Sequence, residues 1–301
     1  MYVAYGAHRP SKVWYGKKKR TIDLNVMKKR LLGKDGFSVS EVGLGTWQLG
    51  SDWGIDFSEE QAFALLSEAV VQGVTFFDTA DVYGSGKSES LIGAFLRQTD
   101  RTIYVGTKVG RLNMYPDGYT ESAVRKAIEN SLNRLKVTSL DLVQLHCVPT
   151  QILKEGAIFN WLRKCQEEGI IKHFGASVES VEEARICMEQ EGLLSLQVIF
   201  NIFRQKLISD LFPEAKQKGV GIIVRLPLAS GLLAGKYTKD TTFKSNDHRN
   251  YNKDGAAFNV GETFAGLPFH KGVELVDGLK PLVPGNMSMA QWAQRWCLDH
   301  P

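Results

Sequence analysis

From Lys28 onward, short apolar runs alternate with longer stretches whose hydrophobic positions recur at helical spacing. The runs at 42–47, 74–80, 102–108, 140–146, 173–177, 196–200 and 220–226 are rich in Val, Ile, Leu and Phe. Strands buried on both faces have that character, so seven strands of a parallel sheet are predicted. Between them, helices are predicted over 90–96, 120–135, 158–168, 180–191 and up to Lys218. An earlier one starts at Ser58, where Ser58 and Gln61 make an S-x-x-Q capping box, and stops at Gly73. Gly169, Gly192 and Gly219 end the last three helices. Ahead of the first strand, 30–40 reads as a hairpin with a Lys34-Asp35-Gly36 turn.

Strict β-α alternation predicts a parallel α/β fold, either doubly wound or a closed barrel. No Gly-x-Gly-x-x-Gly opens a helix after an early strand, which removes the dinucleotide fingerprint of the doubly wound fold. The expectation is therefore an α/β chain of the (β/α)8 TIM-barrel type with an N-terminal β-hairpin. The stretch 229–286, rich in Gly, Asp and Asn, is long for a loop and is read as functional, with short helices near 260–264 and 272–278. An amphipathic helix over 288–299 follows. No eighth strand comes after it, so the last βα unit of such a barrel is missing from this chain. That pattern reads as a chain cut short before its final unit, the rival being a partner chain that completes the barrel.

Charge refines the picture. The chain has 301 residues and a formal net charge of +4. Residues 1–26 contain six Lys/Arg and one acid, against 31 basic and 32 acidic residues in the remainder. The domain reading is thus a basic, disordered or non-native extension over 1–26, with a natural start at Met27, and a barrel over 27–301. Nucleic acid is not expected as a partner of so neutral a body. No apolar run approaches the ~18–20 residues of a membrane span, so no membrane partner is expected. Four widely spaced cysteines, without Cys-x-x-Cys or a neighbouring His, give no metal site or disulfide framework. With no signal-peptide core, the reading is cytoplasmic.

Active sites of such barrels lie at the carboxyl ends of the strands. Three consecutive predicted strands end in Asp78, Lys108 and His146, and Tyr83 follows Asp78 by five residues. Each has a bland reading on its own: a loop cap, a snorkelling lysine, a core histidine. Together they suit one task. A phenol near pKa 10 exchanges protons poorly at neutrality, and an adjacent ammonium lowers that value. A carboxylate orients the lysine, and a neutral histidine donates a hydrogen bond to a carbonyl oxygen as charge develops. Proton chemistry at a carbonyl is then provided for, but no side chain supplies hydride, which implies a nicotinamide cofactor.

From about Lys28 the chain resembles the aldo-keto reductase family, in its bacterial and channel-β-subunit-like branches. The matching segments are Leu44-Gly45-Thr46-Trp47, Phe77-Asp78-Thr79-Ala80-Asp81-Val82-Tyr83-Gly84, Thr107-Lys108, Asp141-Leu142-Val143-Gln144-Leu145-His146 and Gly231-Leu232-Leu233-Ala234-Gly235-Lys236-Tyr237. The resemblance implies an NADPH-dependent oxidoreductase that reduces a small-molecule aldehyde or ketone. Tyr83 would be the acid, tuned by Lys108 and Asp78, and His146 would orient the carbonyl. It also implies cofactor contacts from Gly45, Thr46, Ser177, Gln197, Arg225, Leu226, Leu228, Ser230, Gly231, Leu232 and Lys236, with Trp47 lining the substrate pocket. Arg111, Asn113, Met114 and Tyr115 border that pocket.

The chain departs from the family pattern at three places. Val178 stands where many members carry an Asn for the carboxamide. Arg225 stands where many stack an aromatic ring on the nicotinamide. The segment that grips the adenosine 2′-phosphate is missing, so a preference for NADPH over NADH is not legible. Two alternatives accompany the reductase reading: a regulatory subunit of low turnover, and an inactive fragment. Substrate identity and oligomeric state are not encoded in any motif here.

Overall fold

The computed structural model describes residues 27–51, 54 and 56–300; the basic extension at 1–26 lies outside them. Seven parallel strands form one sheet in chain order: β3 (Leu44–Gly45), β4 (Phe76–Asp78), β5 (Tyr104–Val109), β6 (Leu142–His146), β7 (Phe174–Ser177), β8 (Leu193–Ile199) and β9 (Gly221–Arg225). A separate antiparallel hairpin, β1 (Lys29–Leu31) and β2 (Ser38–Ser40), precedes them. The sheet curls into an open barrel. Its terminal strands β3 and β9 do not pair with each other, and no eighth strand joins them among the described residues.

The helices that cover the sheet include α1 (Glu59–Val71), α2 (Lys87–Leu96), α3 (Glu121–Leu135), α4 (Thr150–Glu155), α5 (Ala157–Glu167) and α6 (Val181–Met188). Their apolar faces meet the strands in one large core, with Leu66, Ile92, Ile128, Phe159 and Leu196 fully buried. The Ser58–Gln61 capping box opens α1 as the sequence predicts. The hairpin plugs one end: Leu32 and Val39 pack with Phe76, Leu142, Leu194 and Ile223, and Phe37 stacks on Tyr104 at 4.4 Å. Those partners lie near the strands' amino ends, so the carboxyl ends remain open for chemistry.

Local departures from the periodicity have identifiable causes. The first sheet strand is only two residues long, because the chain turns at Trp47–Gly50 into a 3-10 helix that ends at Ser51 in a left-handed conformation. Helix α2 starts at Lys87 rather than residue 90, after Gly86 turns the backbone at φ +94°. The single helix expected before Gly219 is two, α7 (Leu207–Asp210) and α8 (Phe212–Lys218). Pro213 lacks the N–H needed to continue a preceding helix and sits at the start of the second.

The stretch 229–286 is mostly folded. A 3-10 segment Ala229–Ala234, α9 (His248–Tyr251), further 3-10 turns at Val260–Glu262 and Phe264–Gly266, and α10 (Phe269–Leu279) lie within it. With the final helix α11 (Met289–Leu298) they build a second apolar cluster from Leu228, Leu232, Leu233, Phe264, Val273, Val276, Met289 and Ala293. Along the open side, a cavity of about 290 Å³ runs past residues including Val39, Gly43, Ile222 and Val224. Arg30 ties the hairpin to the chain end there by donating to the carbonyls of Leu298 (2.7 Å) and His300 (3.3 Å). No helix among the described residues is long and apolar enough to cross a membrane.

Candidate active site

The parallel register brings strand ends together. Asp78 pairs with Gly106, Lys108 with Gln144, and His146 with Ser177, which pairs in turn with Gln197. Residues far apart in sequence thus share one end of the barrel. Tyr83 arrives from the loop between β4 and α2. Gly84 beside it has φ +59°, and a Cβ there would lie 2.5 Å from the Gly50 carbonyl oxygen. Only glycines at both positions let the two loops meet so closely.

Lys108 is the centre of the cluster. Its Nζ donates to Asp78 Oδ2 (2.6 Å), to the Thr79 carbonyl (2.8 Å) and to the Tyr83 hydroxyl (3.2 Å). It also lies 4.9 Å from the centroid of the Tyr83 ring. The other oxygen of Asp78 accepts from Gln197 Nε2 (2.7 Å) and Gln144 Nε2 (3.2 Å). Asp78 and Lys108 are almost fully buried, so each needs these partners. His146 meets Tyr83 edge to face, with ring centroids 6.0 Å apart. Its Nδ1 is buried with no hydrogen-bond partner among the described residues.

Burial governs protonation. It holds His146 well below the ordinary imidazole value, and the cations Lys108, Arg111 and Arg225 add to that effect. Lys108 is drawn down by burial, while its contact with Asp78 holds it up. Tyr83 runs against the expectation that a neighbouring lysine lowers the phenol. Burial, then the negative charges of Asp78 and Glu262, push it well above its usual value, because Asp78 already neutralises the lysine. The cluster therefore holds a protonated phenol and a neutral imidazole at neutral pH.

The residues expected around a cofactor fall into three groups. Gly45 and Thr46 form a rigid ledge: Thr46 donates through both its backbone N–H and its hydroxyl to the Asp78 carbonyl, and Ser88 donates to Thr46. Ser177 is buried 3.9 Å from Cys147 Sγ, while Gln197 turns its amide to Asp78. Around the end of β9, Leu226, Ala229, Ser230 and Gly231 all have positive φ. Leu228 and Leu232 bury their side chains in the second cluster, and Lys236 is exposed. Ser230 donates to the Glu262 carbonyl at 2.7 Å. Trp47 stacks on Tyr83 at 6.0 Å and also meets His248 (4.7 Å) and Phe258 (5.9 Å) from the long stretch after β9.

Arg225 is engaged by an ion pair with Glu262 at 2.7 Å. Cys147 Sγ and carboxylate oxygens of Glu179 and Glu262 lie within 4.8 Å of one another, and Arg225 Nη2 approaches that sulfur at 3.8 Å. A guanidinium thus supplies the positive charge that this acidic corner requires. Sequence reading passed over Gln144, Glu179 and Glu262. A buried amide inside Leu142-Val143-Gln144-Leu145 was the available signal for Gln144; the two acids carried none, since they meet Arg225 only through tertiary folding.

Comparison with known proteins places this geometry in context. The sequence model described as "Aldo/keto reductase family" matches residues 41–301. A probable aldo-keto reductase of Glycine max is 32% identical over 210 residues, 68% of this chain and 60% of that protein's length. The aldo-keto reductase YhdN of Bacillus subtilis is 27% identical over 274 residues, covering 88% of this chain and 80% of the relative. Among solved structures, a glycerol dehydrogenase of Gluconobacter oxydans is similar with a TM-score of 0.73 and 30% identity, over 90% of this chain and 83% of that one. The holo form of an aldo-keto reductase from Bacillus halodurans has a TM-score of 0.71 and 25% identity, over 91% and 83%.

Proposed function

The chain belongs to the aldo/keto reductase family, and on that premise we propose that it is a cytoplasmic enzyme that reduces a small aldehyde or ketone to the alcohol with NADPH. The observation that carries the reading is the Lys108 ammonium held between Asp78 at 2.6 Å and the Tyr83 hydroxyl at 3.2 Å. A buried cation so placed stabilises a phenolate better than it stabilises the parent phenol, which is what a general acid requires of its surroundings.

NADPH would supply the hydride. The donor set fits such a group: this end of the barrel offers proton chemistry but no side chain that can donate hydride. Lys236 is an exposed lysine with no ion-pair partner among the described residues, suited to a phosphate. Gly45, Thr46, Ser177, Gln197, Arg225, Leu226 and the segment from Leu228 through Ser230, Gly231 and Leu232 to Lys236 would hold the cofactor.

The chain's own residues do the rest. Burial keeps Tyr83 protonated until a carbonyl oxygen gains negative charge, and the phenol then passes its proton to that oxygen. Lys108 stabilises the resulting phenolate by its hydrogen bond, while Asp78, anchored by Gln144 and Gln197, fixes the lysine's position. Neutral His146 polarises the carbonyl by hydrogen bonding without competing for the proton. Trp47 and Phe258 meet edge to face and give the site an apolar wall beside Tyr83.

The test is consumption of NADPH, followed by absorbance, with benzaldehyde and butanone as substrates. Wild type should turn over, and Tyr83→Phe should lose at least about a hundredfold in kcat, the usual range for removing a general acid. Full activity in Tyr83→Phe would overturn the assignment of the proton donor.

A further inference from the structure

Three cations act on the His146 ring: Lys108, Arg111 and Arg225. Two of them are neutralised locally, Lys108 by Asp78 at 2.6 Å and Arg225 by Glu262 at 2.7 Å. Arg111 is not. Its half-buried side chain makes no ion pair or hydrogen bond among the described residues. The guanidinium lies over the Tyr115 ring, 5.0 Å from the centroid. Stacking of that kind occupies the planar face and leaves the edge N–H donors unspent.

The position is set by the fold. Arg111 follows Gly110, whose φ of +118° turns the chain at the end of β5, three residues beyond Lys108. It therefore stands at the rim of the site that holds His146. Among the acids, Glu179 feels the Arg111 charge. That acid is crowded against Glu262 and Cys147, shares Arg225, and is pushed toward its neutral form by burial. No carboxylate among the described residues forms an ion pair with Arg111. A partly desolvated guanidinium without an acceptor is unfavourable until a ligand supplies one.

We propose that Arg111 selects carbonyl substrates bearing an anionic group, a carboxylate or a phosphate, which the guanidinium fork holds while the carbonyl oxygen meets Tyr83 and His146. The inference deepens the reductase reading and rests on it. Arg204 is a built-in control. It too lacks a side-chain hydrogen bond or ion pair among the described residues, but it packs against Gly261 and is opposed by the charges of Glu262 and Glu179.

The experiment compares matched substrates: 4-carboxybenzaldehyde against benzaldehyde, and glyceraldehyde 3-phosphate against glyceraldehyde. Wild type should prefer one anionic member by about tenfold or more in kcat/KM, the scale of a charge-assisted hydrogen bond. Whichever pair shows it identifies the anion. Arg111→Gln should abolish the preference by raising KM for the anionic member far more than for its neutral counterpart; Arg111→Lys should restore part of it, and Arg204→Gln should keep it. No preference in wild type, or a preference that survives Arg111→Gln, overturns the inference while leaving the reductase reading intact. If wild type turns over neither aldehyde of either pair, the reductase reading fails. The inference is then decided by calorimetric titration with benzoate and with inorganic phosphate. Binding lost in Arg111→Gln supports it, and no binding by wild type overturns it.

Discussion

Asp81 shows how much a single buried carboxyl can impose on the loop that carries Tyr83. It is 2% exposed, its Oδ1 has no hydrogen-bond partner among the described residues, and its backbone N–H is pinned to the Lys108 carbonyl. Burial, then the nearby charge of Glu89, raise its pKa from 3.8 to about 7, with Arg134 and Lys108 opposing. The folded state therefore holds a proton that the unfolded chain releases near pH 4. Stability suffers no penalty below pH 4, declines as pH rises from about 4 to 7, and is fully reduced above 7. Asp81→Asn should thus melt at a higher temperature than wild type at pH 8, by an amount equivalent to a few kcal/mol. The two should converge at pH 4. A melting difference independent of pH would show that Asp81 does not titrate in this range.

At the scale of elements, the site depends on two loops brought into contact without side chains between them. The 3-10 turn Trp47–Gly50 presents Gly50 to Gly84, and the two backbones touch where any Cβ would collide. Gly84→Ala adds a clash with the Gly50 backbone and a left-handed strain at φ +59°. It should lower stability by about 1–3 kcal/mol in urea unfolding, the range for overpacking a tight contact. Because Tyr83 precedes it directly, kcat should fall more than the loss of stability explains when assayed well below the melting temperature. Unchanged kcat in a destabilised protein would mean that the Tyr83 position does not depend on this contact.

Elements were also the level at which the sequence was most readable. Apolar runs and glycine stops gave the strand order, since strands buried on both faces leave a local signature. The helix after β8 was misjudged because Pro213 divides a continuous amphipathic pattern. Of the site, Asp78, Tyr83, Lys108 and His146 were legible because each stands at or just after a strand end. Glu262 and Phe258 were not, because they reach Arg225 and Trp47 across the folded stretch after β9. Local periodicity holds no record of such contacts.

The whole molecule is a sheet of seven parallel strands plugged by a hairpin at one end and carrying its charged machinery at the other. Nothing in that architecture names a hydride donor; in the proposed reading the protein supplies a proton and a polarising imidazole. The central claim is that hydride reaches a carbonyl carbon here while Tyr83 protonates the oxygen. Its most direct test follows the hydride itself, using NADPH deuterated separately at each face of the nicotinamide C4, with benzaldehyde as acceptor and mass spectrometry of the alcohol. Deuterium from one face, and not the other, should appear on the carbinol carbon of benzyl alcohol, and the Tyr83→Phe protein should form almost none. Alcohol that carries no label from either face would contradict the account.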